Sequence, residues 1–199
     1  MSSARITIDD TSRVSLGIGL GVAVLLVGVA LYFALAAHAL MKENTGFDPN
    51  RSVPSDAILR SRLKPDQYHV TRENGTETAF QNEYWNNVRP GIYVDVITGE
   101  PLFTSLDKFD GGTGRPTFSK PISKDSILEK DDNSYDMHRI EVRAKRSNAH
   151  LGHLVADSTS PTGQRYAVNS AALRFIMTDD MQHEGYAAFL SLVTQVAQK

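Results

Sequence analysis

His150 and His153 stand three residues apart in His150-Leu151-Gly152-His153, the one place in the chain where two imidazoles come close in sequence. Paired imidazoles can hold a metal or move protons near neutral pH. A tetrahedral metal site needs more than two ligands, and no third accompanies them at a suitable spacing, so no metal and no cofactor is expected. Gly111-Gly112-Thr113-Gly114 has the glycine density of a phosphate loop but lacks the lysine and the strand-to-helix context. Cysteine is absent. Disulfides, thiolate–zinc sites and thiol nucleophiles are therefore all missing from these 199 residues.

The elements that must position these residues read as mainly β. Gly91-Ile92-Tyr93-Val94-Asp95-Val96 is rich in β-branched and aromatic residues and runs into a turn at Thr98-Gly99. Ile140-Glu141-Val142-Arg143-Ala144 alternates apolar and polar, as a half-buried strand does. Residues 150–155 and 166–176 supply further strands. A short helix beginning after Ser55 is expected, and residues 179–198 carry apolar side chains with helical recurrence. With 21 basic and 23 acidic side chains, scattered rather than clustered, no nucleic-acid surface is expected.

Residues 14–37 contain no charged side chain. As a helix they would span about 36 Å, enough for a hydrocarbon core of about 30 Å. The expected organisation is an N-terminal cytoplasmic segment (1–13), one transmembrane helix (14–40), a polar linker (41–62) and a domain (63–199). Arg5 and Arg13 before the span, against Lys42 after it, favour the N-terminus inside and the domain periplasmic or extracellular. Gly17, Gly21 and Gly28 fall on one helix face, where a second membrane helix could approach closely. Membrane lipid and other membrane subunits are the expected partners.

An ordered series of motifs then resembles the methionine-R-sulfoxide reductase B (SelR) family. It opens with Leu63-Lys64-Pro65-Asp66-Gln67-Tyr68, Asn74-Gly75-Thr76-Glu77 and Glu83-Tyr84-Trp85. Pro90-Gly91-Ile92-Tyr93, Thr98-Gly99-Glu100-Pro101-Leu102-Phe103 and Lys108-Phe109-Asp110 continue it, and His150-Leu151-Gly152-His153 with Asn169-Ser170-Ala171-Ala172-Leu173-Arg174-Phe175 closes it. The resemblance implies a twisted antiparallel β barrel, tent-like, with short flanking helices. In that family a cysteine or selenocysteine thiolate attacks the sulfoxide sulfur while acids protonate its oxygen. By resemblance, His150, His153 and Asn169 line this site and Arg165 helps position the nucleophile.

Ala167 occupies the nucleophile position. A methyl group has no lone pair to attack sulfur. Arg115 replaces the tryptophan that receives the sulfoxide methyl, and Thr113 takes the position of a resolving cysteine. Many members hold a structural zinc in two Cys-x-x-Cys pairs; the corresponding residues here run Asp95 to Thr98 and Ala144 to Ser147, with no soft ligand. The resemblance implies a zinc-free branch in which Asp95 pairs with a basic residue such as Arg146. Together these features lead to the expectation of a membrane-anchored, catalytically inactive member, an accessory subunit of a larger membrane complex, photosynthetic or respiratory. The alternative is a peptide-methionine (R)-S-oxide reductase in which alanine has replaced the cysteine at 167.

Overall fold

The computed structural model describes residues 25–33, 46–134 and 138–194. It divides into two compact units, Met1–Thr45 and Gly46–Lys199. In the first unit, residues 25–33 are helical and expose Leu25, Leu26, Val27, Val29, Leu31, Tyr32 and Phe33. Gly28 lies on this helix with open space around it, while Gly17 and Gly21 fall outside the described residues. Most of the expected span 14–40 also falls outside them, and no helix among the described residues is long and apolar enough to cross a membrane.

The second unit begins with two helices, α1 (Asp56–Arg62) and α2 (Pro65–Glu73). Pro65 sits at the first position of α2, where its missing N–H costs nothing, and the Gln67 side chain caps the Lys64 N–H at 3.1 Å. Asn74 ends the helix in the left-handed conformation (φ 58°), which Asn tolerates better than most residues. Ser55 precedes α1 but its side chain makes no cap.

Among the described residues nine strands follow in two antiparallel sheets: β1 (Gly91–Asp95), β2 (Pro101–Thr104), β3 (Lys108–Phe109), β4 (Thr117–Phe118), β5 (Ile127–Asp132), β6 (Arg139–Ala144), β7 (His150–Ala156), β8 (Gln164–Val168) and β9 (Leu173–Met177). The smaller sheet has the order β2-β1-β9 and the larger β3-β4-β8-β7-β6-β5. The described strands thus make two sheets, not one continuous barrel. Every residue of β1 is buried because both of its faces are covered. Tyr93 joins a core with Phe103, Phe118, Leu151 and Val168, whereas Ile92 and Val94 join Ile176, Met181, Tyr186 and Val193. Phe103 stacks on Phe118 at 4.4 Å and Tyr93 meets Phe118 edge-on at 5.0 Å, contacts worth about 0.5–1.5 kcal/mol each beyond their area.

Two expectations change. The stretch 166–176 is not one strand: β8 and β9 belong to different sheets, and a 3-10 turn (Ser170–Ala172) carries the chain between them. The Glu77 carboxylate fixes this turn by accepting the Ser170 and Ala171 N–H groups at 2.7 and 3.0 Å. The stretch from 179 onward is not one helix either. It forms 3-10 turns at Thr178–Asp180 and Ala187–Phe189 and a five-residue helix, α3 (Leu190–Thr194). Gly185, at φ +81°, breaks the helical path so that Tyr186 can enter the second core.

Candidate functional site

Ala167 lies in the middle of the larger sheet, in register with His153 on β7 and with Thr117 on β4. Glu141 on β6 faces His153 from the other side. Directly opposed residues of antiparallel strands project to the same face, so Glu141, His153, Ala167 and Thr117 form one row across four strands. The opposite face, with Leu154, Tyr166 and Phe118, is core. Strand alternation puts Arg165 on the row's face as well. Gly152 is required at its place: a Cβ there would stand 2.1 Å from the Ala167 carbonyl oxygen.

Two carboxylate–imidazole pairs hold the histidines. Glu141 Oε1 accepts from His150 Nδ1 at 2.7 Å and from Arg143 Nη1 at 2.5 Å. Burial alone would raise the Glu141 carboxyl, but His150 and Arg143 overcome it and keep it below the usual range. Burial pushes His150 down, against the pull of Glu141, so its ring favours the neutral form. Asp132 Oδ2 receives His153 Nε2 at 2.8 Å and Arg139 Nη2 at 2.7 Å. The Ser134 hydroxyl and N–H, followed by His153, hold Asp132 far below the ordinary carboxylate range. The two rings meet edge to face, 5.6 Å apart.

The remaining expected residues surround this row. Arg165 Nη1 donates to Asp157 Oδ2 at 3.1 Å and to the Gly111 carbonyl at 3.0 Å, tying β8 to the loop between β3 and β4. Asn169 does not project freely. Its amide donates to the Leu151 carbonyl at 2.9 Å and its Oδ1 accepts the Glu77 N–H at 3.2 Å. Arg115 is turned onto the Glu77 carbonyl, with Nη2 at 3.0 Å and Nε at 3.3 Å. Among the described residues, His150 Nε2, Arg139 Nε, Arg165 Nε and, in the β3–β4 loop, Thr113 Oγ1 are buried with no hydrogen-bond partner. A cavity of about 640 Å³ opens beside the row, lined in part by His69, Glu73, Asp131, Asp132, His150 and His153.

Sequence reasoning missed the carboxylates. Glu141 could have been found, because alternation along β6 puts it on the face opposite Val142. Asp132, Asp157 and Glu77 gave no such signal, since each meets its partner from a turn or a strand end. The corner corresponding to the family's zinc also differs from expectation. Asp95 does not pair with Arg146. The fully buried carboxylate accepts from Thr98 Oγ1 at 2.6 Å, from the N–H groups of Ile97 and Thr98, and from the Ser147 hydroxyl. Arg146 instead donates to the carbonyls of Pro49 and Arg51, with its guanidinium over the Phe47 ring at 5.4 Å. No group of three or more His, Cys, Asp or Glu able to hold a metal occurs among the described residues.

Residues 63–177 match the SelR domain family. The chain belongs to that family. A curated relative, the peptide methionine sulfoxide reductase MsrA/MsrB of Vibrio cholerae serotype O1 (strain ATCC 39315 / El Tor Inaba N16961), is 50% identical over 139 residues. The match covers 70% of this chain and 37% of the relative, so the chain spans little more than a third of that protein's length. Membership of the SelR family gives Ala167 its meaning. The position lies on a largely polar sheet face, across from His153 and two residues from the Arg165–Asp157 pair.

Proposed function

We propose that this SelR domain presents a methionine-(R)-sulfoxide site complete except for its sulfur nucleophile. The observation that carries the reading is the register of Ala167 between His153 and Thr117, on strands whose His150 Nε2 and Arg165 Nε are buried without partners among the described residues. Leaving such atoms unpaired costs about 1–3 kcal/mol each, which a domain kept only as a scaffold has no reason to retain. The Arg115 guanidinium is occupied by the Glu77 carbonyl, which lessens its obstacle to an apolar methyl group.

With a cysteine at 167 the step balances within the site. The thiol sulfur takes the sulfoxide oxygen, the substrate sulfur becomes a thioether, and the cysteine ends as a sulfenic acid that an added dithiol reduces. His153, which faces residue 167 directly, is placed to carry a proton to the departing oxygen. With Ala167 the chain binds and stops there. The test is the Ala167→Cys variant with dithiothreitol and both epimers of a methionine sulfoxide peptide. Reduction of the R epimer alone, with none by the Ala167 chain, is expected. A variant inert toward both epimers overturns the reading.

A second reading is favoured by the helical residues 25–33, whose exposed side chains are nearly all apolar. In it, the uncharged stretch 14–37 anchors the chain in a membrane and the domain serves a larger membrane complex as an accessory subunit. Gentle detergent extraction followed by size-exclusion chromatography tests it. Co-elution of membrane subunits at fixed stoichiometry supports that role, and a lone 21.9 kDa chain removes it.

A further inference from the structure

Resting on the sulfoxide-site reading, we propose that Phe80 is a specificity-determining residue whose ring receives an apolar side chain of the substrate peptide. Methionine sulfoxides with a bulky apolar neighbour are then the preferred class. Phe80 adopts the left-handed conformation, at φ +61°. A bulky side chain is rarely found there, and such strain persists only where the surroundings enforce it, commonly at functional positions. The Phe80 N–H donates to the Gly114 carbonyl at 2.8 Å, and Asn82 Nδ2 donates to the same oxygen at 2.7 Å. Gly114 must itself lack a side chain, since a Cβ would stand 2.6 Å from the Phe80 nitrogen and 2.7 Å from its ring.

Burial does not offset this strain. The Phe80 ring is 56% exposed and meets the Trp85 ring edge-on at 5.3 Å. Trp85 in turn lines a cavity of about 440 Å³ with Phe109 and Val88, the latter 92% exposed. Polar groups in the same wall are already engaged. Lys108 Nζ donates to the Trp85 carbonyl at 3.0 Å, Asn87 Nδ2 to the Tyr93 hydroxyl at 2.9 Å, and Ser105 Oγ accepts the Gly91 N–H at 3.0 Å. The surface left to offer is therefore apolar, and apolar side chains grouped in contact with water mark a place where an apolar partner binds.

Two connections join this surface to the sulfoxide site. Phe109 is directly opposite Thr117, and Thr117 directly opposite Ala167, so the row that holds Ala167 extends to Phe109. Phe109 is two strands away, about 10 Å. Phe80 is bonded to the residue just before Arg115, and the Pro116 carbonyl just after it accepts the Val168 N–H at 3.0 Å. An extended peptide advances about 3.3 Å per residue, so a side chain within about three residues of the sulfoxide reaches the Phe80 and Trp85 rings.

Fluorescence anisotropy with the full chain in detergent micelles reads the preference, because the Ala167 chain cannot turn its ligand over. The probes are heptapeptides with a central methionine (R)-sulfoxide in a glycine–serine background and one phenylalanine walked through the flanking positions. The background peptide with reduced methionine is the control. Phenylalanine on one side of the sulfoxide is expected to tighten binding about tenfold, and Phe80→Asn to bring that gain close to one. Asparagine accepts the left-handed backbone, so the urea midpoint of the variant is expected to equal or exceed that of the parent chain. No gain at any position, with sulfoxide still preferred over reduced methionine, overturns this proposal and leaves the sulfoxide-site reading standing. A gain unchanged in Phe80→Asn does the same. A clear fall in the urea midpoint would mean that the ring is held for packing, and overturns the proposal as well. Equal binding of sulfoxide and reduced methionine overturns the sulfoxide-site reading, and with it the substrate class.

Discussion

Two corners of this domain correspond, by the resemblance to SelR proteins, to places where sulfur is expected, and this chain fills them differently. At Asp95 the loss is made good by oxygen and nitrogen: Thr98, Ser147 and two backbone N–H groups converge on one buried carboxylate. At Ala167 nothing has closed in. His150 Nε2 on β7 and Arg165 Nε on β8 remain buried without partners among the described residues. The first corner is a piece of structure, whose only unpaired buried atom nearby among the described residues is Glu100 Oε2. The second keeps buried polar atoms without partners, which the proposed sulfoxide site would use. Stability and function thus separate between the two corners, and substitutions can test whether they do.

The largest effect is expected from Gly152→Ala. The new Cβ would lie 2.1 Å from the Ala167 carbonyl and 2.8 Å from the Val168 Cα, both backbone atoms that move only if β7 and β8 part. A loss of about 3 kcal/mol or more is expected in denaturant unfolding of the full chain. A loss below about 1 kcal/mol would mean that the two strands at Ala167 are loosely paired, and the Ala167 corner would then be disordered rather than kept open.

Much of this contrast was legible in the sequence, although unevenly. The strands at 91–95, 139–144 and 150–156 follow from alternation and β-branched content, and the ordered motifs name the family. The break between β8 and β9 was not legible, because Asn169-Ser170-Ala171-Ala172 contains neither Gly nor Pro. What turns the chain there is the Glu77 carboxylate, about ninety residues away in sequence. The Asp95 corner was half legible. The positions were identified, but the expected ion pair with Arg146 gave way to short polar side chains. Thr98 and Ser147 reach Asp95 with little loss of rotamer freedom, whereas Arg146 finds two carbonyls on the incoming chain.

Matched isosteric swaps come next in size and should differ in sign. Thr98→Val removes the 2.6 Å hydroxyl bond to a buried carboxylate and is expected to cost about 1.5–3 kcal/mol. Thr113→Val removes a buried hydroxyl that has no partner and is expected to be neutral or stabilising by up to about 1 kcal/mol. Thermal unfolding of both variants beside the parent chain decides the matter. Equal costs would mean that Thr113 is as well satisfied as Thr98, and the distinction between a repaired corner and an open one would collapse.

The smallest effect sharpens the comparison through pH. His150 is pushed down from 6.5, chiefly by burial, so the unfolded chain takes up its proton first as the solution is acidified. Its contribution to stability is whole above about pH 6.5 and is lost as pH falls. Asp95 is raised from 3.8 by burial, despite its hydrogen bonds, so its contribution is whole below about pH 4 and is lost as pH rises through the folded value. The stability of the parent chain relative to His150→Asn should therefore shrink between pH 7 and pH 5. Relative to Asp95→Asn it should grow as pH falls through the folded value of Asp95 toward about pH 4. Urea titrations at several pH values measure both differences, with each variant cancelling the groups common to the two corners. Slopes of the same sign would contradict the assignment of a neutral imidazole to the site at Ala167.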